Sequence, residues 1–188
     1  MKFGASPFSQ TCSGVATIRV LLEGRPGSGK STVAARLVEL LRERRIPISG
    51  FVTHELREGR TRVGFTIETF DGRRATLAHV DFRGPPRVGK YGVDIAAFER
   101  LALTALEKPT RDGVVVIDEL GKMELASEPF REAVASLFDA PANLVATVHV
   151  FRDAFTDALK RRRDVEVVQV TKASRDELPR QLADRVAT

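Results

Sequence analysis

Five short apolar runs along the chain predict the strands of a buried sheet. Their central residues are mostly Val, Ile and Leu. Such runs are typical of parallel strands that helices cover on both faces, whereas half-exposed strands alternate apolar and polar residues. The runs lie at residues 17–23, 48–55, 114–118, 144–150 and 165–171.

Between these runs, apolar residues recur every three or four positions and predict helices. Val33, Leu37 and Leu41 form one such face, and Pro47 beyond them favours a helix end near Arg45. The other helices are predicted at about residues 94–108, 127–138 and 153–162, with a closing helix from Asp176. Because strands and helices alternate, the sequence predicts an α/β fold with a mostly parallel sheet, in one domain over residues 17–188.

A stretch with a different pattern of apolar and polar residues interrupts this alternation of strands and helices. Val63, Phe65 and Ile67 alternate with polar residues, which predicts a half-exposed antiparallel strand. The pair Asp71-Gly72 then favours a tight hairpin turn. The sequence therefore predicts an inserted antiparallel β-hairpin at about residues 56–80. Its two strands, and the Gly- and Pro-rich loop that ends it, are expected at 62–69, 73–79 and 81–92.

The overall composition is that of a soluble globular protein. Of the 188 residues, 43% are hydrophobic and 29% are charged, which excludes wholesale disorder. No apolar run approaches the roughly 20 residues of a membrane span, so we expect no membrane partner. Residues 1–16 form a polar leader without the apolar block of a signal peptide. With Cys12 as the single cysteine, no internal disulfide can form, and we expect a cytoplasmic protein.

The charge balance favours an anionic ligand. The 30 basic and 25 acidic residues give a net charge of +5, which suits either nucleic acid or a phosphate-rich small molecule. The chain has no Trp and one Tyr, so few aromatic side chains are available to stack on bases. Nucleic acid is therefore the less favoured partner, although the sequence leaves it open.

A glycine-rich loop follows the first predicted strand and opens the first helix. It fits the pattern G-x-x-x-x-G-K-[ST], in which glycines let backbone N–H groups curl around phosphate oxygens at the positive end of a helix dipole. Lys30 would reach the β- and γ-phosphates, and the Ser31 hydroxyl could ligate Mg²⁺. The residues expected to contact the nucleotide here are Gly24, Arg25, Pro26, Gly27, Ser28, Gly29, Lys30, Ser31 and Thr32.

Two adjacent acids end the predicted strand at 114–118. Side chains at the carboxyl end of a buried strand face the crevice in which α/β sheets bind ligands. Asp118 would hold Mg²⁺, mainly through the water shell of the ion. Glu119 could orient or deprotonate a water molecule at the γ-phosphate. The pair could also be a solvated strand end, but an Asp-Glu sequence at this place favours hydrolysis over transfer to another acceptor.

Several further polar residues are candidates with more than one interpretation. Gly121 and Lys122 follow the acids and are expected beside the nucleotide; Lys122 could neutralise phosphate charge or pair with Glu124. Thr147 and His149 end the next strand, where they could sense the γ-phosphate or be satisfied locally.

An arginine usually stabilises the transition-state charge of phosphoanhydride hydrolysis, and the sequence offers several. The candidate arginines, among which the sequence does not choose, are Arg57, Arg60, Arg62, Arg152 and those at 161–163.

The remaining aromatic and histidine candidates are less specific. Tyr91 could stack on a base or fill the core, and His54 and His79 are too scattered to predict a metal site.

Several sequence blocks together resemble one known family. The most specific block runs from Val116 to Leu125, and the resemblance covers about residues 17–186. The other blocks lie at 24–32, 50–53, 62–65, 88–91, 146–148 and 170–172. They resemble the thermophile-type nucleoside-triphosphatase family, to which the human cancer-related nucleoside-triphosphatase belongs.

The resemblance implies a P-loop fold: a three-layer α/β sandwich with a RecA/AAA-like sheet. It also implies Mg²⁺-dependent hydrolysis of ATP, GTP, CTP and UTP to diphosphate and phosphate, with the glycine loop and the strand end at 115–122 lining the nucleotide. Arg25 departs from the family pattern, in which a small or proline-like residue is expected, and this leaves the substrate preference open.

We therefore expect a triphosphate hydrolase of broad base tolerance. Its catalytic residues would be Lys30 and Glu119, and its Mg²⁺ ligands Ser31 and Asp118. One alternative is a kinase on the same core, which would pass the γ-phosphate to a nucleoside or to a polynucleotide 5′-hydroxyl. Another is a slowly hydrolysing module that signals its nucleotide state to a partner. A monomer is favoured slightly over an oligomer.

Overall fold

The computed structural model describes residues 17–107 and 112–187. The leader predicted at 1–16, with Cys12, lies outside the described residues. Within those residues the strands are β1 (Arg19–Gly24), β2 (Ile48–Glu58), β3 (Thr61–Thr69), β4 (Arg74–His79), β5 (Arg87–Val88), β6 (Tyr91–Val93), β7 (Val114–Leu120), β8 (Asn143–His149) and β9 (Glu166–Gln169). The helices are α1 (Lys30–Glu43), α2 (Ile95–Leu106), α3 (Glu128–Asp139), α4 (Ala154–Lys160) and α5 (Leu178–Val186), with a 3₁₀ turn at Glu124–Ala126.

The described strands form one mixed sheet in the order β5-β6-β4-β3-β2-β7-β8-β1-β9. From β2 to β9 every neighbouring pair is parallel. From β2 to β5, on the other side, every pair is antiparallel. The predicted α/β class is therefore confirmed, and the predicted hairpin extends the same sheet because β3 pairs with β2.

Helices cover both faces of the sheet, and each face has its own apolar core. Along β1, Leu21 packs into one core while Val20 and Leu22 pack into the other, as expected for strands whose side chains alternate. The core under α1 and α5 includes Val33, Leu37, Leu41, Leu178 and Leu182. The core under α2 and α3 includes Leu101, Val134 and three clustered aromatic rings, those of Phe51, Phe98 and Phe130.

Three helices begin at side-chain caps. Asp94, Ser127 and Asp153 each precede a helix and accept hydrogen bonds from N–H groups of its first turn, which have no partner within the helix. The closing helix begins at Leu178 and not at the predicted Asp176, with Pro179 in its first turn.

Two local predictions were wrong. The last strand, β9, was expected to be a buried core strand, but it spans only Glu166–Gln169 and lies at the sheet edge with β1 as its neighbour, so its side chains are exposed or half-buried. The region 81–92 was expected to be a loop, yet it contributes β5 and part of β6, and Gly92 pairs with both His79 and Arg87.

Tyr91, for which two interpretations were open, belongs to the core. It is buried against Phe65, and its hydroxyl accepts a hydrogen bond from Arg62 Nε at 3.0 Å. Among the helices of the described residues, none is long and apolar enough to cross a membrane.

Candidate active site

The glycine loop joins the end of β1 to the start of α1. Gly27 and Gly29 adopt positive φ angles of 76° and 103°, a backbone conformation that side chains strain. Because Gly29 is the N-cap of α1 and has no side chain, no side-chain cap occupies the N–H groups of the first helical turn. These donors and the helix dipole make the loop suitable for an anion.

Lys30 curls back over this loop. Its side chain is 6% exposed, and Nζ donates to the backbone oxygen of Gly24 at 3.1 Å. The same Nζ lies 3.9 Å from Glu119 Oε2. The ammonium group is therefore held between the loop and the strand end that carries the two acids.

Ser28 adds a hydroxyl that has no partner. Its Oγ is buried and makes no hydrogen bond to any described residue. A buried hydroxyl without a partner is costly, by about 1–3 kcal/mol, and a phosphate oxygen in the loop would supply an acceptor. Gly24 must lack a side chain here, because a Cβ on it would lie 2.3 Å from Ser28 Oγ.

Asp118 is buried at the end of β7, with 2% of its side chain exposed. Its Oδ1 accepts a hydrogen bond from Thr147 Oγ1 at 2.6 Å. Burial raises the pKa of Asp118, and the neighbouring hydroxyls of Thr147 and Ser31 oppose that rise. Ser31 and Asp118, predicted as a pair of oxygen ligands, thus lie near each other.

Glu119 lies beside Asp118, where the regular pairing of β7 with β8 is interrupted between Ile117 and Leu120. It is 24% exposed, so it faces solvent while still touching the site. Oε1 is 2.6 Å from His149 Nε2, and Oε2 faces Lys30. The carboxylate is therefore held from two sides, and it is not a free strand end.

Glu124 is a third acid in this group, and from the sequence it was expected only as a possible partner of Lys122. It is 4% exposed, and burial together with the negative charge of Glu119 raises the pKa of Glu124 to about 8. Gly121 makes room for both carboxylates, since a Cβ on Gly121 would lie 2.7 Å from Glu124 Oε2 and 3.0 Å from Glu119 Oε1.

Lys122 is the predicted site residue that the structure leaves apart from this contact network. Its side chain is exposed while that of Glu124 is buried, and no ion pair joins the two within the described chain. Of the two interpretations that the sequence left open for Lys122, pairing with Glu124 is therefore wrong.

Three of the candidate arginines form close ion pairs away from the glycine loop. Arg57 and Arg62 both pair with Glu55 on the hairpin, at 2.5 Å and 2.6 Å. Arg162 pairs with Asp139 and Asp164. Arg152, after β8, is 95% exposed and lies 3.8 Å from Asp157.

Arg175, which lies after β9, was not predicted as a site residue from the sequence. Its Cδ would be 2.9 Å from a Cβ on Gly29, so the side chain packs against the glycine loop. Its Nε is buried and has no hydrogen-bond partner in the described part of the chain. No local motif marks this residue; it reaches the loop because β9 is the neighbour of β1 in the sheet.

The histidines outside the site pair locally. His54 lies 3.5 Å from Glu68 and His79 lies 3.4 Å from Asp81. In residues 17–107 and 112–187, no three His, Cys, Asp or Glu side chains group as a metal site.

This arrangement, a glycine loop opposite a strand end with two acids, agrees with the comparisons with known proteins. The sequence model of a family described as NTPase matches residues 19–183. The chain belongs to this NTPase family. The nucleoside-triphosphatase THEP1 of Thermotoga maritima is 38% identical over 162 residues, which are 86% of this chain and 91% of that protein.

Solved structures of two relatives in the NTPase family share the fold. The crystal structure of THEP1 from Aquifex aeolicus has a TM-score of 0.81 and 32% identity, covering 91% of this chain and 100% of the other. The solution structure of a human cancer-related nucleoside triphosphatase has a TM-score of 0.78 and 36% identity, covering 90% of this chain and 97% of the other. The predicted family resemblance is confirmed.

Proposed function

We propose that the protein hydrolyses nucleoside triphosphates to the diphosphate and phosphate. Its relatives are named nucleoside-triphosphatases. The observation that carries this proposal is the position of Glu119. Its carboxylate lies 3.9 Å from Lys30, the residue that the loop presents to the phosphates. A carboxylate at that distance from the phosphate-binding cation is suited to activate a water molecule at the γ-phosphate.

The triphosphate would bind along the glycine loop. Backbone N–H groups at the start of α1 would donate to phosphate oxygens, as would the unpartnered hydroxyl of Ser28. Lys30 would exchange its contact with the Gly24 carbonyl for the β- and γ-phosphates. Arg25, Pro26, Gly27 and Thr32, which are exposed, would lie beside this path, and Gly121 borders the acids.

The donor set next to the loop fits Mg²⁺. The Ser31 hydroxyl lies near enough to the Asp118 carboxylate to lower its pKa, and Mg²⁺ in phosphate sites is held by a few such oxygens, waters and the phosphates themselves. When bound, the ion would neutralise charge on the phosphate oxygens. Thr147 would keep Asp118 oriented through the bond to Oδ1.

In the chemical step, Glu119 would accept a proton from the attacking water molecule as the water oxygen bonds to the γ-phosphorus. The bond between the γ-phosphorus and the bridging oxygen breaks, and the diphosphate leaves with that oxygen. Lys30 stabilises the charge that develops on the transferred group. Arg175, which packs against Gly29, is the arginine best placed to add a further positive charge.

Broad base tolerance follows from where the identified contacts go. The identified groups would all contact phosphates or Mg²⁺; they are the glycine loop, Lys30, Ser31 and Asp118. The sequence holds no base-reading motif such as Asn-Lys-x-Asp. We therefore propose ATP, GTP, CTP and UTP as substrates.

A phosphate-release assay with each of these triphosphates, with and without Mg²⁺, tests the proposal. Hydrolysis that needs Mg²⁺ and no added acceptor supports it. Release that appears only when a nucleoside or a polynucleotide with a free 5′-hydroxyl is added would instead indicate the kinase alternative. Negligible turnover together with tight binding would indicate a nucleotide-dependent binding module.

A further inference from the structure

Among the residues that the structure describes, the side chain of His149 makes one polar contact, and that contact is with Glu119. Nε2 lies 2.6 Å from Glu119 Oε1. Its other ring nitrogen, Nδ1, is buried without a hydrogen-bond partner in the described chain. The imidazole therefore contacts the carboxylate and no other described polar group of the site.

The backbone around His149 is fixed in place. In the parallel pairing of β1 with β8, His149 is the partner of Gly24, the first residue of the glycine loop. Its carbonyl accepts a hydrogen bond from Lys160 Nζ at 2.9 Å, and Lys160 in turn pairs with Glu23 at 2.5 Å. The backbone of His149 is thus tied to β1 and to α4.

Glu119 is shared between two positively polarised groups, one on each oxygen. Lys30 faces Oε2 and His149 faces Oε1. When a triphosphate binds, Lys30 turns to the phosphates, so the attraction that it exerts on Glu119 weakens. The contact with His149 does not compete with the phosphates, because it uses the other oxygen.

We propose that His149 is a positioning residue: its Nε2–H holds Oε1 of Glu119 so that Oε2 stays aimed at the γ-phosphate after Lys30 has turned to the nucleotide. This proposal rests on the role of Glu119 in the proposed function. It replaces the expectation that His149 itself senses the γ-phosphate. Holding a catalytic base in its productive orientation supplies a large part of the rate enhancement that the base contributes.

The test compares side chains that keep or lose the donor. In His149→Gln the amide N–H can reach about the place of Nε2, whereas His149→Met fills similar space without a donor. His79→Met is the matched control, since His79 also ends a strand and pairs with an acid, Asp81, but lies in the hairpin region. Steady-state hydrolysis of ATP gives kcat and KM, and each variant is also made in a Glu119→Gln background.

We expect His149→Met to lower kcat at least about tenfold with KM changed less than about twofold, because an interaction made through the base acts on the chemical step. His149→Gln should recover a measurable part of that loss, and His79→Met should equal the wild type. In the Glu119→Gln background, His149→Met should lower the residual kcat less than about twofold, because the residue acts through Glu119. If His149→Met fails to fold, His149→Phe repeats the measurement with the ring retained and no donor.

Three results would overturn the proposal. One is a wild-type kcat in His149→Met. Another is a kcat loss on His149→Met that is as large in the Glu119→Gln background as in the wild type, which would show that His149 acts independently of Glu119. The third is a rise in the KM of His149→Met with kcat unchanged, which would make His149 a ligand contact. A wild-type kcat in the Glu119→Gln variant would refute the proposed function and this inference together. A low kcat in Glu119→Gln together with a wild-type kcat in His149→Met would refute the inference alone.

Discussion

Thr147 donates a hydrogen bond from Oγ1 to Oδ1 of Asp118 at 2.6 Å, and both side chains are buried. The bond joins the carboxyl ends of β7 and β8, the two central strands behind the glycine loop. It satisfies a carboxylate whose pKa burial raises. Orientation of the residue proposed to hold Mg²⁺ therefore depends on a neighbouring strand.

Thr147→Val should test this dependence, because it keeps the shape of the side chain and removes the hydroxyl. We expect a loss of about 1–3 kcal/mol in the free energy of unfolding, since a buried acceptor loses its donor. The Mg²⁺ concentration needed for half-maximal hydrolysis should also rise. Thr66→Val is the control: Thr66 is buried too but bonds to Arg74 on the hairpin, so its Mg²⁺ requirement should be unchanged. An unaltered Mg²⁺ requirement in Thr147→Val would argue against Asp118 as the ligand.

Lys30→Met should abolish hydrolysis and weaken triphosphate binding. The methionine fills the buried space but removes the one charge that the loop places against the phosphates, which the helix dipole alone cannot replace. Isothermal titration with a non-hydrolysable triphosphate measures the binding, and phosphate release measures the rate. Lys90→Met, at an exposed lysine beside Tyr91, should leave both unchanged. Near-normal hydrolysis by folded Lys30→Met would refute the assignment of the site.

Glu124 should make the protein less stable as the pH rises. The pKa of Glu124 is about 8 in the folded protein and near its ordinary value of 4.5 in the unfolded chain. Between these values the folded state binds the proton and the unfolded state does not, so the contribution is complete below pH 4.5 and is lost as the pH approaches 8. For one proton the slope is about 1.4 kcal/mol per pH unit.

Denaturant unfolding of the wild type and of Glu124→Gln between pH 5 and pH 8 measures this effect. Glutamine resembles the protonated acid in shape and carries no titrating group, so the wild type should lose stability relative to the variant as the pH rises. A constant difference between the two proteins across this range would show that Glu124 does not hold a proton in the folded state.

Base discrimination should be weak. Because the identified contacts address phosphates and Mg²⁺, kcat/KM for ATP, GTP, CTP and UTP should agree within roughly tenfold, or about 1.4 kcal/mol in transition-state free energy. Steady-state phosphate release with each triphosphate provides the values. A preference of two orders of magnitude for one base would instead require a base-reading contact, and Arg175 beside the loop would be the first residue to replace.

The features that the sequence revealed are those with local signals. The glycine loop, the Asp-Glu pair and the alternation of strand and helix each occupy a short segment with its own pattern, so they could be predicted before any contact was known. The hairpin was visible for the same reason, through Asp71-Gly72 and the alternation before it.

The features that it missed depend on strand order. Glu119 and His149 meet because β7 and β8 are neighbours, and Arg175 meets Gly29 because β9 lies beside β1. Burial of Glu124 and of Tyr91 is likewise a property of the assembled sheet and its helices. The side chains of β9 are exposed or half-buried because this strand lies at the edge of the sheet. Its own apolar run does not indicate that edge position.

Glu119→Gln tests the central claim most directly. The amide keeps the size of the side chain and its ability to bond to a water molecule, but it cannot accept the proton. Positioned bases contribute about 10²–10⁴ in rate, so single-turnover phosphate release should fall by that factor. Equilibrium binding of the same triphosphate should be retained, because Lys30, Ser31 and Asp118 are untouched. Release within about threefold of the wild type, or a parallel loss of release and binding, would contradict the account.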